Sequence, residues 1–91
     1  MLQDLAVIVD EKVPASRVQK LIAEAGGALL KEVYLFDLYR GVPIPAAKKS
    51  LAFSLSFQSP GKTLSADLVA KQVTRIVGRL KREVGAEIRG G

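Results

Sequence analysis

The sequence contains no cysteine and no histidine. Without cysteine the chain can form neither a disulfide nor a thiolate metal site. Without histidine it lacks the commonest zinc ligand and the base of Ser-His and Cys-His nucleophiles. No apolar run approaches the ~20 residues of a membrane-spanning helix, and no signal peptide is recognisable. These absences exclude the common hydrolase centres and lead us to expect a cytoplasmic protein with no membrane partner.

The composition that remains is that of one small globular domain. The chain has 91 residues, of which 48% are hydrophobic and 25% are charged. A chain of this size buries about 65% of its unfolded surface, which suffices for a thin core. The net charge of +5 is uneven, because residues 1–38 hold four basic and six acidic side chains whereas residues 39–91 hold ten and three. This asymmetry suits an anionic partner such as nucleic acid, and equally a solubilising surface.

The hydrophobic pattern predicts the order β-α-β-β-α-β. Apolar or alternating runs indicate strands at residues 4–10, 29–41, 48–59 and, weakly, 86–89. Helical spacing indicates helices at residues 15–27 and 66–83, the second capped by Ser65 and stopped by Gly85. A turn is expected at residues 60–64. This order predicts an α+β, ferredoxin-like sandwich, in which two helices cover one face of a four-stranded antiparallel sheet.

Side chains alternate between the two faces of a strand, so sequence position predicts a face for each residue. The odd positions of the third strand, from Leu51 to Phe57, are large and apolar and are expected to face the helices. In the second strand Phe36 and Leu38 are expected to face the core, with Leu35, Asp37 and Tyr39 on the opposite side. We call the sheet face away from the helices the open face.

The predicted open face is a surface of small side chains with functional groups around it. The small residues are Ala6, Ser50, Ala52 and Ser54. Asp37 and Tyr39 are expected at the edge of this surface, and the basic residues expected at one end are Arg40, Lys48 and Lys49.

These residue types are suited to binding unpaired RNA. Tyr39 offers a ring for stacking, which contributes about 1–3 kcal/mol per base. Asp37 only accepts hydrogen bonds, so it suits the adjacent N–H donors of guanine, and the basic residues can hold phosphates. Two other interpretations remain open. Tyr39 can be a strand former with Asp37 paired to Arg40 or a lysine, or Ile8 and Leu35 can mark a surface that docks another domain or a second subunit.

The chain resembles a known family, the ferredoxin-fold anticodon-binding domain that closes the beta chain of bacterial phenylalanyl-tRNA synthetase. The segments that carry the resemblance are DLAVIVDEKVP, LIAEAGGALLKEVYLFDLYRG, KKSLAFSLSFQSPGKTL and LKREVGAEIR. They span nearly the whole chain in the order of the family. Members of the family usually have an aromatic and proline-bearing lead-in and an arginine where this chain has Gln3. We therefore expect residues 1–91 to be a single domain, cut from the C-terminus of a longer chain or forming a short paralogue.

The resemblance implies a non-catalytic role in binding the anticodon loop of phenylalanine tRNA, whose first anticodon base is guanine. It implies that Tyr39 stacks on this guanine, that Asp37 and Ser50 bond anticodon bases, and that Ala6 lines the same site. The implied partners are this tRNA, the remainder of the beta chain and the alpha chain. The parent enzyme would use ATP and magnesium, whereas no cofactor is expected in this domain. The alternative from a different class is a ferredoxin-like module for protein interaction or dimerisation.

Overall fold

The computed structural model describes residues 1–59, 61 and 63–89, and it confirms the predicted order of elements. The elements are β1 (Leu2–Asp10), α1 (Ala15–Gly26), a 3₁₀ turn (Gly27–Leu29), β2 (Leu30–Tyr39), β3 (Lys48–Phe57), α2 (Ala66–Val84) and β4 (Glu87–Ile88). The strands form one antiparallel sheet in the order β2-β3-β1-β4, as expected for a ferredoxin-like α+β fold. Of the turn expected at residues 60–64, Pro60 and Lys62 lie outside the described residues.

The core lies between the sheet and the two helices. The inward side chains of β3 have no exposed surface, and neither do Val18 and Ile22 of α1 or Ile76 and Leu80 of α2. They belong to one continuous hydrophobic cluster. Full burial of a side chain of this kind stabilises the fold by about 1.5–3 kcal/mol. This cluster therefore holds both helices on the same face of the sheet and leaves the other face open.

The helix ends follow the local sequence. The Ser65 hydroxyl accepts a hydrogen bond from the Leu68 N–H at 3.1 Å and so caps α2. Gly85 ends this helix with φ 63°, a left-handed conformation that glycine adopts without a steric cost. At the end of α1, a side chain on Gly26 would lie 2.6 Å from Cβ of Leu30. The glycine therefore permits the close approach between α1 and β2.

A β-bulge in β2 changes which residues of this strand face the core. Leu35 pairs with Phe53 and Asp37 pairs with Ala52, so Phe36 is the extra residue with no partner in β3. Because of this extra residue, Leu35 faces the helices and packs against the core cluster. Phe36 is instead 50% exposed. The predictions that Phe36 belongs to the core and that Leu35 lies on the open face are therefore wrong.

The alternation after the bulge agrees with the sequence. Leu38 pairs with Leu51 and lies on the core side, although it remains partly exposed. Tyr39 pairs with Ser50. Ser50 is one of the small outward residues of β3, which alternate with the buried apolar residues of that strand. Asp37 and Tyr39 therefore lie on the open face, as predicted from their positions.

Candidate nucleic-acid interface

Rows of outward side chains cross the open face, each with one residue from β2, β3 and β1. Three neighbouring rows form the candidate site, and a fourth, made of Glu32, Ser56 and Leu2, lies beyond them. The pairing of the strands gives the rows Tyr39, Ser50 and Ile8; Asp37, Ala52 and Ala6; and Tyr34, Ser54 and Asp4. β1 and β3 pair without irregularity over nine residue pairs, so the central part of each row is set by simple alternation. The structure thus brings together Ala6, Asp37, Tyr39 and Ser50, the four residues that were predicted to contact bases.

The middle row leaves space for a flat ligand. Ala6 and Ala52 lie opposite each other in the sheet and are both partly exposed. Methyl side chains rise little above the backbone, whereas Tyr39 and Tyr34 stand on the rows to either side. A planar group can therefore approach the sheet over the alanines and contact an aromatic side chain at the same time.

Tyr39 is held in place through its hydroxyl and through its ring. Its hydroxyl donates a hydrogen bond to the Val42 carbonyl at 2.8 Å, which ties the ring to the loop between β2 and β3. The guanidinium carbon of Arg89 lies 5.4 Å from the centre of the ring, within the range of a cation–π contact. The side chain is nevertheless 42% exposed, so much of the ring remains available for stacking.

Arg89 is the residue of this site that sequence reasoning missed. Its backbone N–H donates to the Ala6 carbonyl at 2.9 Å, which continues the pairing of the short β4 along β1. Its side chain reaches back across the sheet, and Nη1 lies 3.4 Å from the Ser50 hydroxyl oxygen. Ser50 is only 3% exposed. The available signal was its place on the fourth strand, because in the predicted topology that strand lies beside β1.

Asp37 presents an unsatisfied carboxylate to solvent. The side chain is exposed, and no hydrogen bond or ion pair joins it to another residue in the part of the chain that the structure describes. Arg40, the partner considered for it in the sequence, is bound elsewhere. Its guanidinium donates two hydrogen bonds to the Glu11 carboxylate, at 2.8 and 2.6 Å. Asp37 is therefore free to accept hydrogen bonds from a ligand.

The Glu11–Arg40 ion pair shifts both groups in the direction of their charged forms. The hydrogen bonds from Arg40 lower the pKa of the Glu11 carboxyl below its ordinary value, and the same contact raises the pKa of Arg40. Because the folded pKa of Glu11 is lowered, its contribution to stability is present above the unfolded pKa and decreases as pH falls through the folded one. The pair is solvent-exposed, so its effect on overall stability is small.

An NMR titration can test this pairing directly. We expect the Glu11 carboxyl to titrate below the ordinary pKa of glutamate because of its hydrogen bonds from Arg40, and Arg40→Ala to move its midpoint upwards. Arg17→Ala, which changes an exposed arginine on α1, serves as the matched control and should leave the midpoint unchanged. An unshifted Glu11 midpoint in the Arg40 variant would show that the ion pair does not form in solution.

The two lysines that were predicted to hold phosphates differ in position. Lys48 pairs with Asp10 at the end of the sheet and is partly exposed. Lys49 is only 6% exposed, and its ammonium group donates to the Glu11 carbonyl at 3.1 Å. Lys49 pairs with Val9, which faces the core, so it does not lie on the open face. Both it and Arg40 hold the loop between β1 and α1, and Lys48 is the one of the three cations that lies on the open face with no ion pair to another described residue.

Most of the positive charge lies on the helical layer instead. α2 carries Lys71, Arg75, Arg79, Lys81 and Arg82 against Asp67 and Glu83. Arg79 is paired with Glu24 and Glu83, each at 3.5 Å. On the open face, five acidic residues outnumber the basic Lys48 and Arg89; the acidic residues are Asp4, Asp10, Glu32, Asp37 and Glu87. The open face is therefore better suited to the edges and rings of bases than to a run of phosphates.

The described residues contain no group of three Asp, Glu, His or Cys side chains placed to hold a metal ion. Among the same residues, neither helix is long and apolar enough to cross a membrane.

Comparisons with known proteins agree with this geometry. Residues 1–89 match the family model of the ferredoxin-fold anticodon binding domain. The chain is 42% identical over 90 residues to the phenylalanine–tRNA ligase beta subunit of Geobacillus kaustophilus (strain HTA426). This match covers 99% of this chain and 11% of that subunit. It is 47% identical over 87 residues to the same subunit of Corynebacterium diphtheriae, covering 96% of this chain and 10% of the subunit. The chain thus spans about a tenth of the length of these curated relatives.

Proposed function

Because the chain belongs to the family of ferredoxin-fold anticodon-binding domains, we propose that its open face binds the anticodon loop of phenylalanine tRNA and contacts the bases directly. The observation that carries the proposal is the position of Asp37 and Tyr39. An unpaired carboxylate and a partly exposed ring lie on the same face, beside Ala6 and Ala52. Unpaired RNA is recognised through stacking on aromatic side chains and hydrogen bonds to base edges, which this arrangement offers together.

Tyr39 supplies the stacking surface for the first anticodon base. Its hydroxyl is bound to Val42, so the ring is restrained before RNA arrives and less side-chain entropy is lost on binding. Ser50 becomes accessible to the RNA when the Arg89 side chain moves from above it. The guanidinium of Arg89 can then stack on a neighbouring base or contact a phosphate, both of which are common for arginine in RNA complexes.

Asp37 determines which base is preferred at this position. A carboxylate accepts two parallel hydrogen bonds, and the Watson–Crick edge of guanine presents N1–H and N2–H side by side. The corresponding edge of adenine offers one donor, N6–H, and one acceptor, N1. One carboxylate oxygen would therefore face another hydrogen-bond acceptor, and the two would repel each other. Each mismatched buried polar group costs about 1–3 kcal/mol. We therefore assign discrimination for guanine to Asp37 and most of the binding energy to Tyr39.

The test is the affinity for two anticodon stem-loops that differ in one base, guanine or adenine at the first anticodon position. The wild-type chain should prefer guanine by about 1–3 kcal/mol. Asp37→Asn keeps the shape of the side chain but replaces one acceptor with a donor, so this preference should disappear. Asp67→Asn, at an exposed acidic position on α2, is the matched control and should retain it.

NMR shifts of the chain during the same titration show where the RNA binds. Shifts on β1, β2 and β3 at the outward positions support the proposal. Shifts confined to α1 and α2, or identical affinities of wild type for the two stem-loops, would contradict it. The titration is made at low salt because phosphate contacts weaken as salt increases.

The wider roles also belong to this proposal. As part of a phenylalanine–tRNA ligase in the cytoplasm, the domain would act beside the remainder of the beta chain and the alpha chain. ATP and magnesium would serve the parent enzyme, and we assign no residue of this domain to either. The alternative of a docking or dimerisation module rested on Ile8 and Leu35, and Leu35 faces the core. A stable dimer in sedimentation that buries the open face would restore that alternative.

A further inference from the structure

Tyr34 places a second aromatic side chain on the open face. It pairs with Ser54 in the third row, and it is 62% exposed, more than Tyr39. No hydrogen bond joins its hydroxyl to another residue within the described part of the chain. The ring therefore has a large accessible area on the face that is proposed to bind RNA.

The position of Tyr34 requires a different nucleotide from the one at Tyr39. Their partners on β3, Ser54 and Ser50, are four residues apart. At about 3.3 Å per residue, the two rows are separated by roughly 13 Å. Stacked bases in one strand are only about 3.4 Å apart, so the two rings are too distant to sandwich one base. Ala52 and Ala6 occupy the row between them and leave a path for the RNA.

The third row also has the hydrogen-bonding groups that accompany a stacked base. Ser54 offers a hydroxyl beside the ring, and Asp4 offers a carboxylate on the adjacent strand. Asp4 is exposed and has no ion pair with any of the described residues. Two acceptors and a ring suit a base, whereas the negative charge of Asp4 disfavours a phosphate at this position.

We propose that Tyr34, with Ser54 and Asp4, forms a second subsite that stacks an unpaired nucleotide of the same RNA loop, several nucleotides from the one at Tyr39. This subsite rests on the proposed function, because it extends the same face. It gives the open face two anchored bases, with the row of Asp37, Ala52 and Ala6 between them. The nucleotide at Tyr34 is selected mainly by its ability to stack, and Asp4 favours bases that present an N–H donor.

The experiment compares single variants of the chain for binding to the anticodon stem-loop of phenylalanine tRNA at low salt. Tyr34→Ala should weaken binding by about 5- to 150-fold, whereas Tyr34→Phe, which retains the ring, should remain close to wild type. Leu68→Ala removes an exposed apolar side chain from α2, on the other layer, and should have no effect. Circular dichroism confirms that each variant is folded.

The stem-loop is then prepared with 2-aminopurine at each loop position in turn, since the fluorescence of this base falls when it stacks. We expect Tyr34→Ala to restore fluorescence at one position and Tyr39→Ala at another. If Tyr39→Ala weakens binding but Tyr34→Ala does not, the second subsite is wrong and the proposed function stands. If both variants affect the same loop position, separate subsites are likewise contradicted. If neither variant weakens binding, the proposed function fails with it.

Discussion

Replacing Tyr39 with alanine is expected to weaken binding of the anticodon stem-loop by about 1–3 kcal/mol, or about 5- to 150-fold. The variant removes the ring that lies beside Asp37 and Ala52 on the open face. It also releases Arg89, which contacts that ring, and the hydrogen bond to Val42 that fixes the loop between β2 and β3. Isothermal titration calorimetry or fluorescence anisotropy with the stem-loop measures the change.

Tyr39→Phe separates the ring from its hydroxyl. This variant keeps the stacking surface and the contact with Arg89, and it loses the hydrogen bond of 2.8 Å to the Val42 carbonyl. The net contribution of such a bond is about 0.5–1.5 kcal/mol, so binding should fall less than in the alanine variant. Equal losses in the two variants would assign the effect to the hydroxyl and the loop, and an alanine variant with wild-type affinity would contradict the stacking role.

The dependence on salt distinguishes stacking from phosphate contacts in these variants. Each phosphate contact that a lysine or arginine makes contributes a slope close to −0.7 for single-stranded nucleic acid in a plot of log affinity against log salt. Removing the Tyr39 ring should lower the affinity at every salt concentration with nearly the same slope. The slope for wild type should itself be shallow, because Arg40 and Lys49 are engaged within the chain and half of the fourteen basic residues lie on the two helices.

The open face could be predicted from the sequence where the strands are regular. β1 and β3 pair residue by residue, so alternation alone placed Ala6, Ser50, Ala52 and Ser54 correctly on one face. β2 pairs irregularly with β3 at two places, between Leu30 and Glu32 and between Leu35 and Asp37, and the extra residue at the second place reverses the alternation beyond it. Regular alternation placed Asp37 and Tyr39 on the correct face. It placed Leu35, which precedes the bulge, on the wrong face. No residue in the sequence of this strand signals where an extra residue is accommodated.

The charged contacts were beyond sequence reasoning because they join distant parts of the chain. Glu11 meets Arg40 and Lys49 only after the loop between β1 and α1 folds against the start of β3. Arg89 meets Tyr39 and Ser50 only because β4 lies beside β1 and its side chain is long enough to cross that strand. The composition gives the net charge of the second half of the chain, but it does not say which layer of the fold carries that charge.

The bulge itself leads to the second large prediction, which compares Phe53 with Phe36. Phe53 is fully buried in the core on β3, whereas Phe36 is the unpaired bulge residue and is 50% exposed. Phe53→Ala should destabilise the fold by about 3–5 kcal/mol, because it removes apolar contacts and leaves a cavity. Phe36→Ala should cost no more than about 1 kcal/mol, as expected for a surface position. Urea unfolding followed by circular dichroism measures both.

This pair of variants tests the strand pairing because regular alternation predicts a different result. If β2 had no bulge and alternated regularly from the outward Asp37 and Tyr39, Phe36 would face the helices like Phe53. The two alanine variants would then be destabilised by similar amounts. Native domains are stable by only about 5–15 kcal/mol, so Phe53→Ala can leave much of the chain unfolded. Phe53→Leu, which retains most of the side-chain volume, then provides a measurable loss for comparison. If the Phe36 variant is as unstable as the Phe53 variant, the bulge is contradicted, and so is the inward position of Leu35. The docking interpretation of the open face would then regain its apolar residue.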